Sequence, residues 1–214
     1  MRIRSIANRI NNAQVTVDIG SDHALLSTFL INEKRSAVVY NIEKNEGPFN
    51  NSVKNTEKIK NIINLMGDGL KNFDNSIHIN YCVIAGMGAK TITKIIQESN
   101  NKVDYFITCS NNNYDLIRKF AKENKFKIVF EETVKENDIY YEIICLSKIV
   151  GKKIFFKNQI MFGIHYFKKN DFLYIEKLKR LFANEKEIEF YKNKNNQKYY
   201  ELKKIQRYIK KYDR

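Results

Sequence analysis

The feature that most constrains this chain is an alternation kept up over its first 147 residues. Short apolar runs of strand character are separated by stretches with helical spacing. Strand candidates fall at 15–19, 37–42, 62–66, 81–85, 104–109, 127–133 and 140–146, and helical stretches at 24–33, 49–60, 90–97 and 115–124. Runs such as AVVY, CVIA and YFITC are continuously hydrophobic, as strands covered on both faces are. Strands alternating with crossover helices predict a doubly wound, Rossmann-like α/β sheet, mostly parallel. The last two strands are joined only by the short link TVKENDIYY, so they form a hairpin and the last strand is antiparallel.

Beyond Ser147 the period changes. Ile160, Ile164 and Phe167, then Ile175, Leu178 and Phe182, then Leu202, Ile205, Ile209 and Tyr212 recur at spacings of three and four, which marks helix faces. The polar run KNKNNQK at 192–198 reads as a turn between them. The expectation is two helices folded back as an antiparallel coiled-coil appendage. The division falls near Gly151, with a sheet domain at 1–150 and a helical domain at 151–214.

Charge follows the same division. The net charge is +14, of which the residues through Ser147 carry +2 and the remainder +12. A compact basic module is an electrostatic footprint for polyanions. A solvated helical surface in a lysine-rich chain is the competing account. Candidate phosphate contacts are Lys203, Lys204, Lys210 and Lys211, with Arg2, Arg4 and Arg9 at the other end of the chain. Tyr199, Tyr200, Tyr208 and Tyr212 either stack on bases or form the apolar face of a helix.

No apolar run approaches the roughly 18 residues that a membrane span needs. The opening MRIRSIANRI lacks the apolar region of a secretion signal, which points to the cytoplasm. Cys82, Cys109 and Cys145 each sit in an apolar run and read as buried thiols, with no disulfide or metal framework. Oligomeric state is not legible, and a monomer fits as well as a dimer.

The first strand runs into VDIGSDHALL, residues 17–26. Asp18 ends the strand, Gly20 allows a tight turn, and Asp22 can cap the following helix. In a doubly wound sheet this turn lies at the switch point where nucleotides bind. A dinucleotide fingerprint would need glycines where Asp22 and Leu25 stand. Acids here would repel a pyrophosphate but suit a cationic cofactor with an amino group, and S-adenosylmethionine is both. Glu43 follows the second strand, where an acid accepts hydrogen bonds from ribose hydroxyls, and Asp68 in MGDGL follows the third, within reach of an adenine amino group. Each acid alone could be a turn or cap residue; three at successive strand ends favour a cofactor site. The fourth strand ends in CVIAGMGAKTI, where Gly86 and Gly88 let the backbone approach a ligand or simply pack strand against helix.

Together these segments resemble the bacterial tRNA (adenine-22-N1)-methyltransferase family, TrmK. DIGSDHA, the acid 25 residues later, Gly47-Pro48-Phe49, GDGL and IAGMG occur in the family's order, and RIRSIANRI is similar to its first helix. Tyr141 and Glu142 of the hairpin and the paired-helix tail also fit. The resemblance implies methylation of N1 of adenine 22 in the tRNA D-arm with S-adenosylmethionine. It implies a cofactor site of Asp18, Gly20, Ser21, Asp22, His23, Glu43, Gly67, Asp68, Gly69, Ala85, Gly86, Met87 and Gly88. Asp22, His23, Met87, Gly88 and Asn111 are the candidates nearest the reacting base. Where the family shows Gln-Pro-Asn after the fifth strand, this chain has Cys109-Ser110-Asn111, and Tyr40-Asn41-Ile42 stands before the acid in place of small residues. The competing readings are a methyltransferase acting on another structured RNA, such as rRNA, and a non-catalytic RNA-binding protein with a vestigial cofactor site.

Overall fold

The computed structural model describes residues 2–164, 171–189 and 197–212. Seven strands form one sheet: β1 (Ala13–Ile19), β2 (Ser36–Glu43), β3 (Ile62–Met66), β4 (Ile79–Ala85), β5 (Val103–Cys109), β6 (Lys127–Glu136) and β7 (Ile139–Ser147). Their order is β3-β2-β1-β4-β5-β7-β6. β1 to β5 pair in parallel, whereas β7 runs antiparallel to both β5 and β6. The order reverses at β1, so the switch point lies between β1 and β4. The helices are α1 (Arg2–Ala7), α2 (Leu25–Asn32), α3 (Glu46–Thr56), α4 (Ala89–Glu98), α5 (Tyr114–Glu123), α6 (Lys157–Phe162), α7 (Phe172–Glu189) and α8 (Gln197–Tyr212). No described helix is long and apolar enough to cross a membrane.

One core joins Ile6 and Ala7 of α1, Ile10 just after it, and Leu26 and Leu30 of α2 to Val39, Val83, Ile107, Cys109, Val134, Ile143 and Cys145 of the sheet. Side chains alternate along a strand, so Cys82, Ile84 and Phe106 face the other way. There Phe106 and Phe120 meet Phe126, with ring centroids 5.9 and 6.0 Å apart. All three cysteines are free and buried. Burial raises each thiol, Cys109 to about 12.

Two buried polar networks tie this frame together. Asn41, the residue that replaces a small one before Glu43, is 1% exposed. Its amide donates to Ser52 Oγ at 3.1 Å and Asn64 Oδ1 at 3.0 Å, and its carbonyl oxygen accepts from Ser27. That one side chain ties α2, α3 and β3 to β2. Arg118 of α5 is 1% exposed and donates to Glu131 of β6 and Glu142 of β7. Removing one member of such a group typically costs about 3–5 kcal/mol, because a buried charge is left behind.

The chain divides into two compact units, Met1–Met161 and Phe162–Arg214. Residues just past Gly151 still belong to the sheet: Ile128 and Lys152 exchange two backbone hydrogen bonds of 2.8 Å. Gly151 has φ +113°, and a Cβ there would lie 2.6 Å from the Ile128 carbonyl oxygen. In the second unit α7 and α8 pack on each other. Tyr174, near the start of α7, meets Tyr208, near the end of α8, at 6.1 Å between ring centroids, and Tyr208 stacks on Phe162 at 4.8 Å. Ile175, Leu178, Leu202 and Ile205 are buried as their spacing predicts, and Tyr208 joins them. Phe167 and residues 192–196 of the expected turn lie outside the described residues, while Gln197 and Lys198 already belong to α8.

Candidate active site

Parallel strands put all their carboxyl ends on one rim, and that rim gathers the predicted residues. Gly20 N donates to Ile42 O at 2.9 Å and Gly67 N to Glu43 O at 2.8 Å, which sets the turns after β1, β2 and β3 side by side. The turns after β4 and β5 are laced together. Gly86 N donates to Cys109 O (3.1 Å), Asn111 N to Met87 O (2.9 Å), and Asn111 Nδ2 to Gly86 O (2.7 Å). Ser110 Oγ donates to Asn112 O at 2.6 Å. Asn111 therefore holds the Gly86–Met87 backbone with its amide. The two sets of turns meet where Gly20 (φ +82°) lies under Met87, and a Cβ on Gly20 would come within 2.6 Å of Met87 Cε. The positive φ favours glycine there, and any side chain would push the flexible end of Met87 aside.

Asp18 and Glu43 are 7% and 8% exposed. Neither forms an ion pair with a described cation. Burial pushes the Asp18 carboxyl up to about 6; Ser21 draws it part of the way back, and the Glu43 charge adds to the rise. Glu43 is raised as well, by burial and then by Asp22, against a backbone hydrogen bond from Lys44. The buried Ser21 hydroxyl finds no partner in hydrogen-bonding geometry among the described residues, although it lies close enough to Asp18 to act on its charge. Two buried carboxylates lacking a described cation and an orphaned hydroxyl form a cluster suited to a ligand bearing positive charge and hydroxyl or amino donors. The residues present fit S-adenosylmethionine.

The raised Asp18 value fixes the sign of a pH effect. Between about pH 4 and 6 the folded protein binds more protons than the unfolded chain, so this group removes stability as the pH rises through that window. Asp18→Asn is expected to raise the melting temperature of the ligand-free protein near pH 7.5 and to change it little near pH 4, as read by calorimetry. An equal change at both pH values would rule out a buried charge as the cause.

Other predicted residues sit differently from expectation. Asp22 does not cap α2: that helix starts at Leu25 from Ala24 in the left-handed region (φ 53°), with no side-chain cap. The reason is tertiary. Asp22 Oδ1 accepts instead from Asn51 Nδ2 at 3.1 Å, while Asn55 Nδ2 donates to His23 O at 3.2 Å. Two asparagines one turn apart on α3 thus hold the turn after β1, and their i, i+4 spacing is the only trace of this in the sequence. His23 is exposed, with Nε2 3.4 Å from Asp22 Oδ2. Asp68 is exposed and paired with Lys44 at 3.1 Å. Gly69 turns toward packing, since a Cβ there would lie 3.0 Å from Ile95 Cγ2. Arg9 donates twice to Glu132, at 2.9 and 2.6 Å, and lies over Phe130. Arg4 is exposed over Phe29. Lys203, Lys204, Lys210 and Lys211 are exposed along α8.

A seven-stranded sheet of this order, with its last strand reversed and acids closing its first strands, defines a Rossmann-like S-adenosylmethionine-dependent methyltransferase. The methyltransferase-domain family model matches residues 1–144, and the chain belongs to that family and, within it, to the TrmK family. It is similar over nearly its whole length to TrmK of M. capricolum in complex with the natural cofactor product S-adenosyl-homocysteine: 32% identity, TM-score 0.87, covering 99% of this chain and 96% of that one. The tRNA (adenine(22)-N(1))-methyltransferase of Bacillus subtilis is 29% identical over 150 residues, 67% of this chain and 62% of that one. The crystal structure of the B. subtilis m1A22 tRNA methyltransferase TrmK shares the fold, with TM-score 0.81 at 23% identity over 98% of this chain and 96% of that one.

Proposed function

We propose that this protein methylates N1 of adenine 22 in the D-arm of tRNA, using S-adenosylmethionine. The observation that carries the reading is the pair of buried carboxylates, Asp18 and Glu43, left without a cation at the switch point beside the Gly20–Met87 contact. Similarity to TrmK along nearly the full chain supplies the substrate class.

In this reading Glu43 accepts hydrogen bonds from the ribose hydroxyls. Asp18, Gly20, Ser21, Asp22 and His23 surround the charged amino-acid portion, and Gly67, Asp68 and Gly69 border the adenine. Ala85, Gly86, Met87 and Gly88 face the transferred group. The cofactor supplies the methyl group on a sulfonium. The chain's own part is positional. The target N1 lies on the Watson–Crick edge, so the base must leave its stack at a cost on the order of a few kcal/mol. N1 already carries a lone pair and needs no obligatory general base. Lining it up and excluding water supply most of the acceleration. Asn111 contributes by fixing the Gly86–Met87 backbone, and Asp22 and His23, held by Asn51 and Asn55, border the substrate side. The second unit acts as a coiled-coil grip on the tRNA body, and the cytoplasm is the compartment that suits this task.

The test is incubation with labelled S-adenosylmethionine and total tRNA lacking the modification, followed by mapping of the labelled nucleotide. Label at N1 of adenine 22 is expected. A protein that binds the cofactor but labels no tRNA, or labels rRNA instead, overturns the reading.

The ribose assignment has its own expected result. Glu43→Ala should weaken S-adenosylmethionine binding by roughly 1.5–3 kcal/mol, the range for losing hydrogen bonds to a charged group. Unchanged affinity by calorimetry, in a variant that keeps its fold, would remove Glu43 from the site.

A further inference from the structure

The rim described above carries a cation on the side away from Asp18 and Glu43. Arg2 opens α1, and its backbone N–H donates to Glu136 Oε1 at 3.1 Å. Its guanidinium carbon lies 4.6 Å from the centre of the Tyr141 ring. Strand register places this pair. Ile143 of β7 pairs with Cys109 of β5. Because β7 is antiparallel, Tyr141 stands one two-residue step further toward the rim, level with Asn111 and on the same sheet face as Ile143. Arg2 is close enough to Cys109 for its charge to oppose the rise that burial imposes on that thiol.

The Arg2 side chain is half-buried, and its Nε is shielded from solvent with no hydrogen-bond partner. No described residue accepts a hydrogen bond from the guanidinium, although its charge helps hold the nearby Glu136 carboxyl below the usual range. Arg9 of the same segment, by contrast, spends two donors on Glu132. A guanidinium already oriented by an aromatic face, with its fork of donors unused, matches a phosphate. The rim is then two-signed. Asp18, Glu43, Asp22 and Asp68 close the strands on the β1–β3 side, while Arg2 stands beside β5 and β7 with one carboxylate, Glu136, next to it. A cationic cofactor and an anionic strand would approach from opposite sides.

We infer that Arg2, seated on Tyr141, binds a phosphate flanking the adenosine whose base enters the pocket. This rests on the tRNA methyltransferase reading and deepens it. Arg2 is a positioning residue: it anchors the backbone of the strand so that the extruded base reaches the Gly86–Met87–Asn111 surface in register.

The test uses the full chain loaded with S-adenosylhomocysteine and unmodified tRNA, with binding read by fluorescence anisotropy over a salt series. Arg2→Gln should bind tRNA about ten-fold or more weakly, the loss expected for charge-assisted hydrogen bonds. Its log–log salt slope should fall by about 0.7–0.9, one phosphate's worth, with S-adenosylhomocysteine affinity and melting temperature unchanged. Arg2→Lys should keep the slope and recover part of the affinity. Tyr141→Ala should reproduce the Arg2→Gln loss, and the double variant should add little to it. Parent-like affinity and slope in Arg2→Gln overturn the inference. So does an equal loss of S-adenosylhomocysteine affinity or of thermal stability, which would make Arg2 a support for α1. If the parent methylates tRNA and Arg2→Gln matches it, the assignment of Arg2 alone fails. A parent that binds S-adenosylhomocysteine but no tRNA removes the tRNA reading and this inference with it.

Discussion

Gly88→Val is expected to lower methyl transfer by at least about 100-fold, the scale on which a misplacement of roughly 1 Å costs rate, while the protein stays folded. Gly88 precedes α4 with φ −70° and ψ 150°, an extended conformation that valine adopts readily. A Cβ there would meet nothing nearer than Asn112 Oδ1 at 3.9 Å. A Cβ at this position meets no clash, so the expected loss rests on the proposed ligand lying close to Gly88. The check is a single-turnover rate beside a thermal melt. Full activity would show that nothing approaches Gly88 closely, and an unfolded variant would return the position to a packing role.

The layout of that rim is legible in the sequence because topology dictates it. Once seven strands are read in order, the residues after β1 to β5 must share one end of a parallel sheet. Strand β3 (Ile62–Met66) falls where its apolar run predicts. Helix α3 does not: it starts at Glu46, three residues before the expected Phe49, because Pro48 sits in its first turn, where a missing N–H costs nothing. What the sequence hides is pairing between distant positions. Arg118 reads as one more surface cation on an amphipathic helix, yet it is buried against two glutamates that lie 13 and 24 residues further on. Asn41 reads as a departure from a small-residue pattern, yet its amide is the hub of contacts to three other elements. In the site, the acids could be named in advance but their partners could not. Lys44 and Asn51 carry no motif, and in a chain so rich in lysine and asparagine neither stands out.

The second large effect concerns α8. Lys203, Lys204, Lys210 and Lys211 should together account for much of the affinity for tRNA. They recur on the exposed side of the helix that buries Leu202, Ile205 and Tyr208. Reversing all four charges is expected to flatten the log–log salt dependence by as much as about 3 to 4, at about 0.9 per phosphate for duplex DNA and a similar order for folded RNA. Cofactor binding should not change. A chain ending at Met161, where the first compact unit ends, should keep S-adenosylmethionine affinity while losing most tRNA affinity. Filter binding at low and high salt separates the outcomes. Parent affinity and slope in the four-lysine reversal would make these lysines a solvated face and shift the RNA surface to the sheet unit.

The short pairing between Ile128 and Lys152 has a consequence for how the protein behaves in a crowded cell. β6 is an outer strand, and an outer strand with free N–H and C=O groups is a template on which a second chain can add itself. Here the segment leaving the sheet folds back over the start of β6 and takes up the groups of Ile128. Gly151 makes the reversal possible by offering no side chain to the Ile128 carbonyl. The register shift between Ile128 and Phe130, followed by Glu131 and Glu132, interrupts the flat repeat that strand addition needs. The opposite outer strand, β3, is only five residues long. Both borders thus carry a feature that hinders strand addition, and at one of them that feature is the segment that leads out of the sheet.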